Sequence, residues 1–250
     1  MTQPQQQAEG FWAVIGADEP EPPWSLTDIA ITGGVFALAM IVIASTVALL
    51  VAGDVESLPN TQQSLIGWGV GLALISAFIL VRWRRDPQRF AALRLTGERF
   101  SLYVMLLIGV AVLFTVDLIA AAFSSFSAHP ALVGLESGIG NSVIALVVVG
   151  LVQPIADGLL FFGVILPRLR ATLGAWAGIL TTTLLFTLYY ALVYGARLSS
   201  ELQLAYGVIF PLLIGLALCL VRVWAQSTRA AIVTYIGIGV SAVLAFIALG

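Results

Sequence analysis

Charge is scarce in this chain of 250 residues, of which only 10% are charged, and all eleven cationic residues are arginine. Soluble domains carry about 25% charged residues, so the composition excludes a soluble protein. The net charge of −2, with no basic face, excludes nucleic acid as a partner. With one cysteine, Cys219, no disulfide can form within the chain. With one histidine, His129, in a loop, no apolar segment offers an imidazole to a haem or a metal.

Apolar residues make up 60% of the chain, and the mean hydropathy is +1.04. They form runs of about 20 residues without strict alternation, which predicts membrane-spanning helices and not a β-barrel. We therefore expect an all-α polytopic bundle of about seven spans. The expected spans are 27–52, 63–81, 100–123, 141–166, 173–194, 202–224 and 228–249.

Two domains are expected: a tail over residues 1–25 and a transmembrane helical domain over 26–250. The tail is polar, acidic and rich in proline, and such composition does not form a core of its own. It contains one apolar island, for which we expect contact with the bilayer surface or with a partner protein. The island consists of Phe11, Trp12, Val14 and Ile15.

The arginines are distributed unevenly between the two sets of loops. Ten of the eleven lie in the loops after the second, fourth and sixth spans, and only Arg197 lies on the opposite side. Because cytoplasmic loops carry an excess of arginine and lysine, we expect a cytoplasmic amino terminus and a carboxyl terminus outside. The expected location is a bacterial plasma membrane.

One acidic residue, Asp157, interrupts the apolar run of the fourth span. An aspartate at a helix centre costs about 2.5–3.5 kcal/mol on insertion scales and is a functional-site candidate by default. The alternative is a protonated carboxyl that bonds a neighbouring hydroxyl and has no further role. A second intramembrane acid, Asp117, lies in the third span, and its role stays open.

The stretch around Asp157 resembles the first motif of the CPBP family of intramembrane metalloproteases, which includes the CAAX prenyl proteases. That motif reads Pro-x-x-Glu-Glu-x-x-x-Arg-Gly and closes in Leu-Pro-Arg. The two glutamates fall on Asp157 and Gly158, and the arginine falls on Phe162. The frame of the motif is retained at Pro154, Leu159, Leu160, Phe161, Gly163, Leu166, Pro167 and Arg168.

Two later motifs of the family are also altered. The Phe-x-x-x-His pattern resembles Phe186 to Tyr190, so that a tyrosine stands at the histidine. The His-x-x-x-Asn pattern is most similar to Tyr235 to Gly239, with Tyr235 at the histidine and Gly239 at the asparagine. The resemblance thus implies a CPBP-protease-like core in a degenerate member of the family.

The resemblance implies metal-dependent proteolysis, but the altered positions predict that the metal is lost. A catalytic zinc takes about three protein ligands, and two aspartates with tyrosines nearby do not supply them. We expect no cofactor, with zinc present only if the chain is an active enzyme. We also expect Asp157, Tyr190 and Tyr235 to form a hydrogen-bonded cluster that joins the fourth, fifth and seventh spans.

Three functions follow, from different classes. The first is a non-catalytic scaffold, accessory subunit or regulator that works with a membrane-protein partner. The alternative is a divergent, active CAAX-type metalloendopeptidase that uses Asp157 and Asp117. The third is a small transporter, suggested by Pro211 and by a polar stripe on one face of the fifth span: Thr183, Thr187, Tyr190 and Tyr194.

Overall fold

The computed structural model describes residues 10–53, 59–96, 100–121, 129–194 and 204–249. In these ranges the chain is helical, without strands, and seven helices are long and apolar enough to cross a membrane. The predicted all-α polytopic bundle is therefore confirmed. The helices are α1 (Phe11–Gly16), α2 (Leu26–Ala52), α3 (Thr61–Arg84), α4 (Pro87–Ala92), α5 (Leu102–Ala121), α6 (Ile139–Leu173), α7 (Ala175–Tyr194), α8 (Ala205–Ala225) and α9 (Thr228–Leu249).

Side-chain caps determine where the first two spans begin. Ser25 and Asp28 form a capping box at the start of α2, and Asn60 and Gln63 form another at the start of α3. Each box satisfies backbone N–H groups that have no partner within the helix. These spans begin within two residues of the predicted positions.

The fourth span ends seven residues later than predicted, because its helix passes through Pro167 and ends at Leu173. Pro167 follows a π-helical turn over Gly158–Ile165 and stands in the first turn of the α-helical segment after it. A proline is tolerated in a first turn, where its missing N–H is not needed. Pro154 and Pro211 follow π-helical turns in the same way.

Helix α6 is the most buried span, and glycines bring its neighbour α9 close to it. A Cβ atom at Gly239 would lie 2.2 Å from the carbonyl oxygen of Val149 on α6. On the other side of α9, a Cβ at Gly109 of α5 would lie 2.1 Å from the carbonyl oxygen of Thr234. Such contacts between small residues are the usual means of close helix packing in membranes. They fix α9 between α5 and α6.

The segment before the first span packs against the bundle. Val14 and Ile15 of α1 are buried, and the indole Nε1 of Trp24 donates a hydrogen bond to the carbonyl of Val164 at 3.0 Å. The apolar island therefore contacts neither the bilayer nor a partner at these two residues, because they lie in the protein's own core. Trp12, by contrast, is 69% exposed.

Glu19 fastens this segment to the bundle through three arginines. Its side chain is 6% exposed and lies 3.2 Å from Arg94, 3.2 Å from Arg222 and 3.6 Å from Arg170. Arg170 also donates to the carbonyl of Ala17 at 2.6 Å. These arginines come from separate elements: the end of α6, the end of α8 and the turn after α4. One carboxylate thus joins three parts of the arginine-rich face.

Candidate functional site

The side chain of Asp157 lies in the middle of α6 and is completely buried. Its Oδ2 accepts hydrogen bonds from the hydroxyls of Tyr190 on α7, at 3.5 Å, and Tyr235 on α9, at 3.4 Å. The two phenol oxygens also contact each other. The structure therefore brings together the residues at the first-motif acid and at both histidine positions, on three different helices.

Two further side chains, Gln153 and Tyr194, extend this cluster. The amide of Gln153 donates to Tyr190 and, at 3.0 Å, to Tyr194. Both residues are buried. Neither was predicted as a site residue, although Gln153 stands four positions before Asp157 and therefore on the same helix face. A buried amide in an apolar span is the signal that identifies it.

The remaining motif positions pack around the cluster and contribute no polar side chain. Phe162 is fully buried and lies 5.8 Å, between ring centroids, from Phe186. A Cβ at Gly158 would lie 2.4 Å from the side chain of Ile232 on α9. Gly239 is the close-packing position beside Val149. The two glycines allow α6 and α9 to approach closely where the family motif has a glutamate and an asparagine, and Phe162 packs an aromatic ring where the motif has an arginine.

Asp117 and His129 stand apart from the cluster. Asp117 on α5 is half-buried, and among the described residues it makes no hydrogen bond or ion pair with Asp157. His129 lies before α6, accepts a hydrogen bond from the backbone of Ala131 at 3.3 Å, and has its ring edge-on to Phe210. Burial lowers the pKa of His129 to about 4.

The four residues of the polar stripe on α7 are all buried, as expected for one helix face. Thr187 donates to the carbonyl of Thr183, and Thr183 lies 3.7 Å from the sulfur of Cys219. Local bonds therefore satisfy these two hydroxyls, and they do not line a polar channel. This arrangement does not favour the transporter hypothesis.

The donor set around Asp157 does not fit the zinc ion that the family motifs imply. It offers one carboxylate, phenols that donate to that carboxylate, and one amide, whereas catalytic zinc takes mainly imidazole and carboxylate ligands. In the part of the chain that the structure describes, no group of three histidine, cysteine or acidic residues is placed to hold a metal.

Comparison with known proteins supports the resemblance drawn from the motifs. Residues 139–240 match the family model described as type II CAAX prenyl endopeptidase Rce1-like. The match covers 102 of the 250 residues, so it is a similarity of this region to the family. No curated protein and no solved structure matches the chain.

The matched region extends from the start of α6 into α9 and contains all six motif positions at which the sequence departs from the family pattern. It also contains Gln153 and Tyr194. Helices α1 to α5 lie outside the matched residues. The polar cluster thus lies within the matched region, on α6, α7 and α9.

Proposed function

We propose that this protein is a non-catalytic member of the CPBP family that acts as a scaffold or accessory subunit of a membrane complex. The observation that supports this most directly is the pair of hydrogen bonds from Tyr190 and Tyr235 to Asp157. Phenols keep their protons at neutral pH, so they act on the carboxyl as hydrogen-bond donors. The cluster supplies phenol donors to a buried acid, and it does not supply the further ligands that a metal would need.

In this proposal the cluster replaces the metal as the connection between α6, α7 and α9. Lipid cannot satisfy polar groups, so each buried polar atom must find its partner within the bundle. Asp157 and Gln153 on α6 together reach Tyr190 and Tyr194 on α7 and Tyr235 on α9. The retained fold then serves as a rigid surface for a membrane-protein partner.

We further propose that the arginine-rich loops and the amino terminus face the cytoplasm of a bacterial cell. The distribution of arginine supports this orientation. The partner can be sought by purification from native membranes in mild detergent. We expect a defined membrane protein to copurify, and recovery of a lone monomer would contradict the scaffold.

Metal analysis tests the loss of catalysis. The purified protein and its Asp157→Asn variant should contain the same low, substoichiometric amount of zinc, and neither should cleave prenylated or membrane-helix peptides. Asp157→Asn keeps the size of the side chain, so a difference in zinc content or peptidase activity between the two proteins would be due to the carboxylate alone. Stoichiometric zinc that is lost with peptidase activity in Asp157→Asn would instead establish the divergent endopeptidase.

The connecting role of the cluster is tested by stability. Asp157→Ala removes the acceptor shared by two buried hydroxyls, and we expect a loss of about 1–3 kcal/mol, seen as a lower melting temperature in detergent. Asp117→Ala is the matched control, because it removes a half-buried intramembrane acid without a bond to the cluster. Equal melting of Asp157→Ala and the parent protein would contradict the role.

A further inference from the structure

The hydrogen bonds of Asp157 continue in one direction along the bundle. Gln153 lies one helical turn before Asp157 on α6, and Tyr194 lies one turn after Tyr190 on α7, a step of about 5.4 Å in each case. Because α6 and α7 are antiparallel neighbours joined at Gly174, the two steps lead the same way. They lead away from the arginine-rich face.

At the end of this route lies a cavity. The ring of Tyr194 meets the ring of Trp68 on α3 edge-on, with centroids 4.8 Å apart. Trp68 in turn lines a cavity of about 730 Å³ between the end of α2 and the start of α3, on the face opposite the arginines. The polar residues that line the cavity are Ser45, Asn60, Thr61 and Ser64.

In the other direction, three phenylalanine rings close the cluster. Phe186 lies one turn before Tyr190, with ring centroids 4.7 Å apart. Phe161 and Phe162, about one turn after Asp157, lie 5.2 and 5.8 Å from the ring of Phe186. Water is stable in a protein interior only where it finds about two to four polar partners. The three phenylalanine side chains offer it none, whereas the other side has the amide of Gln153 and the hydroxyl of Tyr194.

We propose that Asp157 is a site that exchanges water and protons with the aqueous phase on the cavity face only, by way of Gln153, Tyr194 and Trp68. The Oδ1 atom of Asp157 is buried and has no hydrogen-bond partner among the described residues, and in this proposal a water molecule is its partner. On protonation, a hydronium ion transfers its proton to the carboxylate and remains as water. The bundle thereby contains a group that responds to the pH on one side of the membrane, which goes beyond a scaffold.

Asp157 is the carboxylic acid of this cluster. The titratable side chains that face it or Gln153 are phenols of α7 and α9, Tyr189, Tyr190, Tyr194 and Tyr235. The ionisable groups on the other spans packed around it are engaged elsewhere or have no bond to the cluster. Among these are Asp28 of α2 with Arg82 of α3 at 3.9 Å, Cys219 of α8 with Thr183, Arg222 of α8 with Glu19 at 3.2 Å, and the separate Asp117 of α5.

Thiol labelling in sealed membrane vesicles tests the route, with silver ion as a water-sized probe added to one face at a time. In a Cys219→Ser background, Gln153→Cys and Phe162→Cys place reporters one turn to either side of Asp157. Arg85→Cys, at an exposed position, identifies the arginine-rich face. Thiols that silver has not reached are alkylated after denaturation and counted by mass.

We expect Gln153→Cys to react with silver at least about tenfold faster from the cavity face than from the arginine-rich face. A tenfold ratio of rates corresponds to a difference between the two activation barriers of about the free energy of one hydrogen bond. Phe162→Cys should stay unreacted from both faces. Ser64→Cys, a near-isosteric reporter in the cavity wall, should react from the cavity face. Reaction of Ser64→Cys without Gln153→Cys, equal rates from both faces, or reaction of Phe162→Cys would each overturn the proposal.

A second measurement uses the unsubstituted site. The infrared carboxyl band of Asp157 is the band that is missing from the Asp157→Asn variant. In the unsubstituted protein this band should shift on transfer to heavy water, because the carboxyl exchanges its proton. A carboxyl band that does not shift would overturn the proposal, as would the absence of such a band over the whole pH range of stability. Zinc content plays no part in this readout, so it is independent of the proposed loss of catalysis.

Discussion

Replacing Glu19 by glutamine is the sharpest test of how the amino-terminal segment is held. The substitution keeps the size of the side chain and removes the only negative charge that contacts Arg94, Arg170 and Arg222 among the described ion pairs. Three guanidinium groups would then face a neutral amide. Because the side chains of Arg170 and Arg222 are 1% exposed, water cannot solvate these two charges unless the segment moves.

The expected size of the effect follows from burial. Removing one partner of a buried ion pair costs about 3–5 kcal/mol, because the other charge stays buried and unpaired. The Arg94 side chain is 31% exposed, and its pair is therefore worth at most about 1 kcal/mol. The amide oxygen of glutamine retains part of the hydrogen bonding, which places the expected loss near the lower end, at about 3 kcal/mol.

Two assays measure the loss: thermal melting in detergent and chymotrypsin cleavage after Trp24. Trp24 is 3% exposed and is protected while the segment is bound, so release of the segment should speed this cleavage. The control is Glu21→Gln, whose carboxylate is 74% exposed and 2.6 Å from Arg168. Surface pairs of this kind are worth about 0–1 kcal/mol. Equal melting and cleavage of the two variants would refute the reasoning.

Two further predictions concern packing and pH. Gly239→Ala should destabilise the protein by about 1–2 kcal/mol, because a methyl group 2.2 Å from the Val149 carbonyl must push α9 from α6; Gly33→Ala, with open space around it, should be neutral or slightly stabilising in the same melting assay. Burial lowers the pKa of His129 from 6.5 to about 4, so its contribution to stability is complete above about pH 6.5 and up to about 3 kcal/mol is lost by about pH 4. His129→Gln should flatten this part of the melting curve against pH, and an unchanged slope would contradict the assignment.

Much of the fold could be predicted because membrane insertion depends on local composition. Hydropathy summed over about 20 residues is sufficient to locate a span, and all seven were located this way. Deviations at helix ends have local causes, as at Pro167, where a π-helical turn carries α6 past a residue that normally ends a helix. A π-helical turn has no distinctive composition, so hydropathy does not reveal it.

The candidate site was only partly predictable. The motif spacing identified Asp157, Tyr190 and Tyr235, because each stands at a position where the family pattern has a reactive residue. Gln153 and Tyr194 belong to no motif, and their part in the cluster depends on the rotation of α6 against α7. Spacing along one chain contains no information about that rotation.

By itself, the sequence determined the class of protein, the number of spans and the absence of histidine from the apolar segments, since each of these depends on residue type and order. Only the tertiary structure decided which polar groups meet. Glu19 reaches arginines that follow it by 75, 151 and 203 positions, and Asp157 meets phenols 33 and 78 positions away. Contacts over such separations are set by helix packing in three dimensions. The close approach at Gly239 and the rotation of each span determine which side chains face each other.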